Sequence, residues 1–178
     1  MIKIRRSVFE TNSSSSHSIA IKKEDKYCTT DTLGKFWIWD GELKLWGSEL
    51  EFGRSPFEVL ATFYDKARYA IASYGRYDEE HRKEVEALMY ELMPGLKTIQ
   101  YSHTVDWETD EEIPDYGDVD HQSCGVLQGF LNRNNISLRE FLTNDKYVVF
   151  IDGDEYNEKE YLFEHGLFHK EDFEKVSG

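Results

Sequence analysis

Five consecutive apolar residues, Tyr147-Val148-Val149-Phe150-Ile151, stopped by Asp152-Gly153-Asp154, form the clearest core strand in the chain. A buried strand must pair its backbone N–H and C=O groups, and the rest of the sequence offers short β segments for that. Ile2, Ile4 and Val8, interleaved with Lys3, Arg5 and Ser7, read as a one-sided strand. Ser18-Ile19-Ala20-Ile21-Lys22 reads as its partner, with the polar run between them as a hairpin connection. Phe36-Trp37-Ile38-Trp39 and Glu42-Leu43-Lys44-Leu45-Trp46 flank Asp40-Gly41, a strong hairpin signal. Trp37, Trp39 and Trp46 read as sheet residues that could offer a stacking face. Glu49 to Gly53 adds a further short strand.

Two helices are expected in the middle of the chain. The first opens at Ser55-Pro56 with Glu58 in the capping-box position, carries Val59, Leu60, Phe63, Ala67, Ala70 and Ile71 at helical spacing, and ends at Gly75. The second runs from about Asp78 to Met93, buries Val85, Leu88, Met89 and Leu92, and stops at Pro94-Gly95. Lys97 to Tyr101 reads as a strand, residues 105–120 as an exposed acidic loop, Ser123 to Asn134 and Ser137 to Leu142 as helices. The tail from Asn157 is polar and reads as helical in pieces. The expected fold is α+β: N-terminal β-hairpins form a mixed or antiparallel sheet packed against two central helices, in a single domain spanning residues 1–178.

The formal net charge of −14 repels nucleic acid and anionic membranes and suits either plain solubility or a basic protein partner. That charge is uneven. Residues 1–26 hold six Lys or Arg against three acids, whereas Thr98 to Asn132 hold eight acids and no Lys or Arg. Cys28 and Cys124 are too few for a disulfide framework or a zinc site and read as reduced thiols. No stretch approaches the ~20 apolar residues of a membrane span, and Met1 to Arg6 lacks the apolar core of a secretory signal. The expected location is the cytoplasm.

Candidate chemistry concentrates in Thr11-Asn12-Ser13-Ser14-Ser15-Ser16-His17-Ser18. Closely spaced hydroxyls and turn amides can hold a phosphate, with Arg5 or Arg6 neutralising it. His17 titrates near neutral pH and suits general acid–base work. On residue types alone the favoured reading is a solvated hairpin tip. Asp120-His121-Gln122-Ser123 precedes a helix that Asp120 or Ser123 would cap. The sharper reading pairs His121 with His17 for RNA cleavage, the 2′-hydroxyl attacking and no metal being required. Asp152 and Asp154 could supply Mg²⁺ with oxygen ligands, although Asp-Gly-Asp is more simply a turn; no cofactor is expected.

The segment Val8 to Ser18 resembles the N-terminal signature of a family found in phages and mobile elements of Firmicutes. Glu51-Phe52-Gly53, Asp120 to Ser123 and Asp152-Gly153-Asp154 are similar to that family's pattern and occur in the same order. The resemblance implies an anti-CRISPR protein acting on a type II-A effector and its guide RNA, in the cytoplasm of the infected or host bacterium. Two modes of action follow. In the first, the chain cleaves the guide RNA, with His17, His121, Ser13 and Ser14 as catalytic residues and Arg5, Arg6, Asn12, Ser15, Ser16, Gln122 and Ser123 as RNA contacts. In the second, it is a non-enzymatic inhibitor whose acids Asp106, Glu108, Asp110, Glu111, Glu112, Asp115 and Asp118 occupy a basic groove of the effector. A phage accessory protein unrelated to CRISPR is the third alternative.

Overall fold

The computed structural model describes residues 16–22, 33–53, 58–119, 127–152 and 173–177. The apolar run at 147–151 becomes strand β10 (Tyr147–Asp152) in a four-stranded antiparallel sheet ordered β11-β1-β10-β5, with β1 (Ser16–Lys22), β5 (Glu58–Leu60) and β11 (Phe173–Ser177). Val149 and Ile151 are buried, as an apolar central strand requires. The Ser18–Lys22 strand extends back to Ser16, and its described neighbours are both C-terminal strands. Residues 2–8, expected as its hairpin partner, lie outside the described residues. β11 corrects the expectation of a helical tail over its own span.

The Asp40-Gly41 hairpin forms as the sequence dictates. β2 (Ile38–Trp39) and β3 (Glu42–Leu45) pair antiparallel around a turn with φ of 52° at Asp40 and 87° at Gly41, the left-handed pair that a two-residue hairpin turn needs. β3 then pairs in parallel with β6 (Thr98–Tyr101), placing Leu43 beside Ile99 and Leu45 beside Tyr101. A single helical turn, α1 (Gly47–Leu50), leads to β4 (Glu51–Phe52), which pairs in parallel with β9 (Asp118–Val119).

The first central helix starts later than its spacing predicts. Val59 and Leu60 belong to β5, and α2 (Phe63–Tyr74) opens at Thr62, whose hydroxyl accepts from Asp65 N at 3.2 Å. The pairing of Val59 with Phe150 and of Leu60 with Val149 explains the difference: a tertiary sheet edge outcompetes a local cap. α2 ends at Gly75 as expected, with φ 51°. α3 (Glu79–Leu92) matches its expected span, capped by Asp78, whose carboxylate accepts from His81 N. α4 (Leu127–Asn134) falls within its expected segment, and α5 (Leu138–Thr143) runs one residue past its expected end at Leu142.

α2 is the hub of the core. Phe63, Ala67, Tyr69, Ala70, Ile71 and Tyr74 are buried on it, and one hydrophobic cluster joins it to Leu43, Leu45, Phe52, Val85, Met89, Phe130, Phe141 and Val149. It also buries Lys66, which is 1% exposed. The Lys66 ammonium donates to the carbonyls of Phe141 (2.8 Å), Asn144 (2.8 Å) and Tyr147 (3.2 Å), fastening α2 to the C-terminal end of α5 and the start of β10. A cation suits the partial negative charge at a helix C-terminus.

Candidate functional site

The segment expected as an acidic loop is an ordered hairpin. β7 (His103–Val105) pairs antiparallel with β8 (Glu112–Pro114), placing Thr104 beside Ile113 and Val105 beside Glu112. The connection folds around Asp106. Its backbone N–H donates to Glu111 O at 2.9 Å and its carbonyl accepts from Asp110 N at 2.8 Å. One carboxylate oxygen accepts from Glu108 N (2.9 Å) and Thr109 N (3.3 Å), the Asx pattern that closes a tight turn. Asp110 takes the left-handed conformation, φ 58°, which short polar side chains tolerate.

An arginine from another element holds the hairpin in place. Arg76, in the turn after α2, donates from Nη1 to Asp106 Oδ2 and from Nη2 to the Tyr77 hydroxyl at 2.8 Å. The guanidinium also lies 4.9 Å from the Tyr77 ring centroid. Hydrogen bonds from Glu108 N and Thr109 N, with Arg76 nearby, hold the Asp106 carboxyl below the ordinary carboxylate range. At the other end, Asp115 N donates to Ser102 O at 2.7 Å and the Asp115 carboxylate accepts from Gly117 N at 3.0 Å. Gly117 has φ 69°, and a Cβ there would fall 2.2 Å from Leu50 O. Only glycine lets the chain pass that close to α1 on its way into β9.

Between this hairpin and the Gly75–Tyr77 turn lies a cleft of about 470 Å³, lined by Tyr74, Arg76, Tyr77, Asp106, Trp107 and Tyr116 among others. Its floor is rigid. The Arg82 guanidinium sits 3.8 Å over the Tyr116 ring and donates to Gly75 O at 2.6 Å, while the Tyr101 hydroxyl donates to Glu86 at 2.7 Å. Tyr74 stacks on His81 with centroids 5.1 Å apart, and His81 Nδ1 lies 2.8 Å from the Asp78 carboxylate. The rim projects outward instead: Trp107 is 82% exposed and Tyr77 85%.

The acids of this face therefore divide into two kinds. Asp106 and Asp115 are spent on backbone amides and Arg76. Glu108, Asp110, Glu111, Glu112 and Asp118 are exposed, and none has a cationic partner among the described residues. Unpaired carboxylates beside exposed aromatic rings attract cationic groups by charge and by the ring quadrupole.

Of the residues singled out from the sequence, Ser16 and His17 lie at the start of β1, opposite Asp152 and Ile151 of β10. The backbone thus brings the end of the hydroxyl tract beside Asp152. Arg5, Arg6, Asn12, Ser13, Ser14, Ser15, Asp120, His121, Gln122, Ser123 and Asp154 lie outside the described residues. Among the described residues no group of three or more His, Cys, Asp or Glu side chains could hold a metal ion. No described helix is long and apolar enough to cross a membrane.

Sequence reasoning found the acids of this face but not its framework. The signal available was the pair of short β segments His103-Thr104-Val105 and Glu112-Ile113 around a polar turn. Arg76 carried no local signal, because its partner Asp106 is distant in sequence. Comparison with protein-family models, curated proteins and solved structures finds no match.

Proposed function

We propose that this chain is a binding protein that inhibits a nucleic-acid-handling partner by seating its acidic hairpin in that partner's basic groove. The observation that carries this reading is the hairpin itself: five exposed acids lie on β8, the β7–β8 connection and β9, around the exposed Trp107. The frame held by Asp106, Arg76 and Gly117 presents these charges in one geometry. Little ordering cost then remains on binding. The resemblance of the Val8 to Ser18 segment makes a type II-A CRISPR effector the first partner to test, in the cytoplasm of the infected bacterium. Reversing Glu108, Asp110, Glu111 and Glu112 to lysine, while leaving Asp106 intact, is expected to abolish capture of the effector. Raising the salt should weaken wild-type binding steeply, because the Debye length falls from about 10 Å at 0.1 M to about 3 Å at 1 M. Undiminished capture by the reversed variant refutes the proposal.

A second reading has one observation in its favour. The β1–β10 register sets Ser16 opposite Asp152 and His17 opposite Ile151. Ser16 and His17, the described end of the hydroxyl tract, therefore lie beside the strand end at Asp152. In that reading the chain cleaves guide RNA with His17 and His121 as the acid–base pair. Guide RNA incubated with effector and chain should then shorten to discrete fragments, and His17→Ala should prevent it. A guide that stays full length while inhibition persists eliminates this reading.

A further inference from the structure

The β2-β3-β6 sheet has one face packed on the core and one open to solvent. Leu43 and Leu45 are buried on the first, with Ile38, Ile99 and Tyr101 packed beside them. The second carries Lys35, Trp37 and Trp39 on and before β2, Glu42, Lys44 and Trp46 on and after β3, and Thr98 and Gln100 on β6, all exposed. Trp37 is 91% exposed and Trp39 86%. Large aromatic side chains left in water on a flat sheet face are the residue types that anchor partners.

The chemistry of that face narrows the partner. Trp39 lies in β2 and Trp37 one residue before that strand; at the rise of a strand, two such positions stand about 6.6–6.8 Å apart. That gap admits one planar group in van der Waals contact, at about 3.5 Å, with a ring on each side. Neither indole has a ring or cation partner among the described residues. The third, Trp46, already carries a cation, the Lys44 ammonium 3.9 Å from its ring centroid. Glu42 lies directly across from Trp39 in the β2–β3 register, and Asp40 follows in the turn. A planar cation would meet two indole faces and a carboxylate there.

Net charge decides between the planar candidates. On this face Asp40 and Glu42 offset Lys35 and Lys44, so the whole-chain charge of −14 sets the field: it opposes the phosphates of a nucleic acid and draws a guanidinium on a basic protein. A second copy of the chain would set two bodies of that charge against each other. We propose that Trp37 and Trp39, with Glu42, form a docking site for an arginine-bearing segment of a basic protein. The inference stands on this sheet face and does not depend on the acidic hairpin.

The test follows the indole N–H signals of the four tryptophans by NMR in the full chain. Three probes are added in turn: an arginine-rich peptide, a lysine-rich peptide of equal charge, and single-stranded oligouridine. The arginine peptide should shift Trp37 and Trp39 most and bind more tightly than the lysine peptide. Trp37→Ala or Trp39→Ala should each weaken it roughly threefold to tenfold. The Trp37 and Trp39 shifts should persist in the variant with the reversed hairpin charges, which separates this site from the hairpin. Equal response to the lysine peptide, a stronger response to oligouridine, concentration-dependent shifts without a probe, or no shift would each overturn the proposal.

Discussion

Replacing Lys66 with methionine tests the core most sharply, because it removes the ammonium while keeping most of the side-chain volume. Three carbonyls accept from Lys66 Nζ, those of Phe141, Asn144 and Tyr147. Phe141 and Asn144 lie at the C-terminal end of α5, where helix carbonyls lack intrahelical donors, and Tyr147 opens β10. A buried acceptor left without its donor costs about 1–3 kcal/mol. The full sum does not appear, for two reasons. Asn144 O also accepts from Tyr147 N at 3.3 Å, and removing an ammonium from the interior recovers several kcal/mol of desolvation. The carbonyls still dominate, because three of them accept from the one ammonium. The expected net destabilisation is about 2–4 kcal/mol, a fall in Tm of about 5–15 °C for a chain of this size. Urea and thermal unfolding, followed by circular dichroism, measure it. Lys83→Met serves as the control, since Lys83 is exposed and paired only with Glu79 at the helix surface. A Lys66→Met variant as stable as the wild type, or more stable, would refute the reasoning: desolvation of the ammonium would then outweigh the carbonyl contacts.

Two further stability predictions rest on the site's framework and on the buried phenols. Gly117→Ala should destabilise by about 2–4 kcal/mol, since it combines a left-handed backbone with a Cβ driven into Leu50; denaturant unfolding that leaves stability unchanged would contradict the close approach. Burial raises the phenol of Tyr64 to about 12 and pushes those of Tyr74 and Tyr101 up further. In the unfolded chain these phenols ionise at about 10. Folding is therefore favoured by the protonated form, and its full contribution is present below about pH 10. Stability should fall as the pH rises from there through the folded-state values. A urea midpoint that does not move between pH 9 and about pH 12 would contradict their burial.

The legible parts of the sequence were those in which local and tertiary preferences agree. Asp40-Gly41 needs a left-handed pair and obtains one; Asp78 caps α3, and Gly75 ends α2. The start of α2 was misread because Ser55-Pro56 is a good local cap, while Val59 and Leu60 gain more by pairing with β10. Phe173–Ser177 was misread for a similar reason: a polar tail joins a sheet through backbone pairing with β1, which composition does not report. At the site, the acids of residues 105–120 stand out in the sequence as an unbroken run without Lys or Arg. The division between structural Asp106 and the free acids around it depends on Arg76, thirty residues away. A stacking face on Trp37 and Trp39 was legible as one alternative, but strand alternation does not say which face meets the core.

The central claim is that the chain inhibits by binding through its acidic hairpin. The most direct measurement mixes the chain with a type II-A effector carrying labelled guide RNA, then reads DNA binding by the effector and guide length in one reaction. The wild type should block DNA binding with the guide at full length. The variant carrying Glu108→Lys, Asp110→Lys, Glu111→Lys and Glu112→Lys should leave DNA binding intact. A shortened guide, or a reversed-charge variant that blocks DNA as well as the wild type, would contradict the claim.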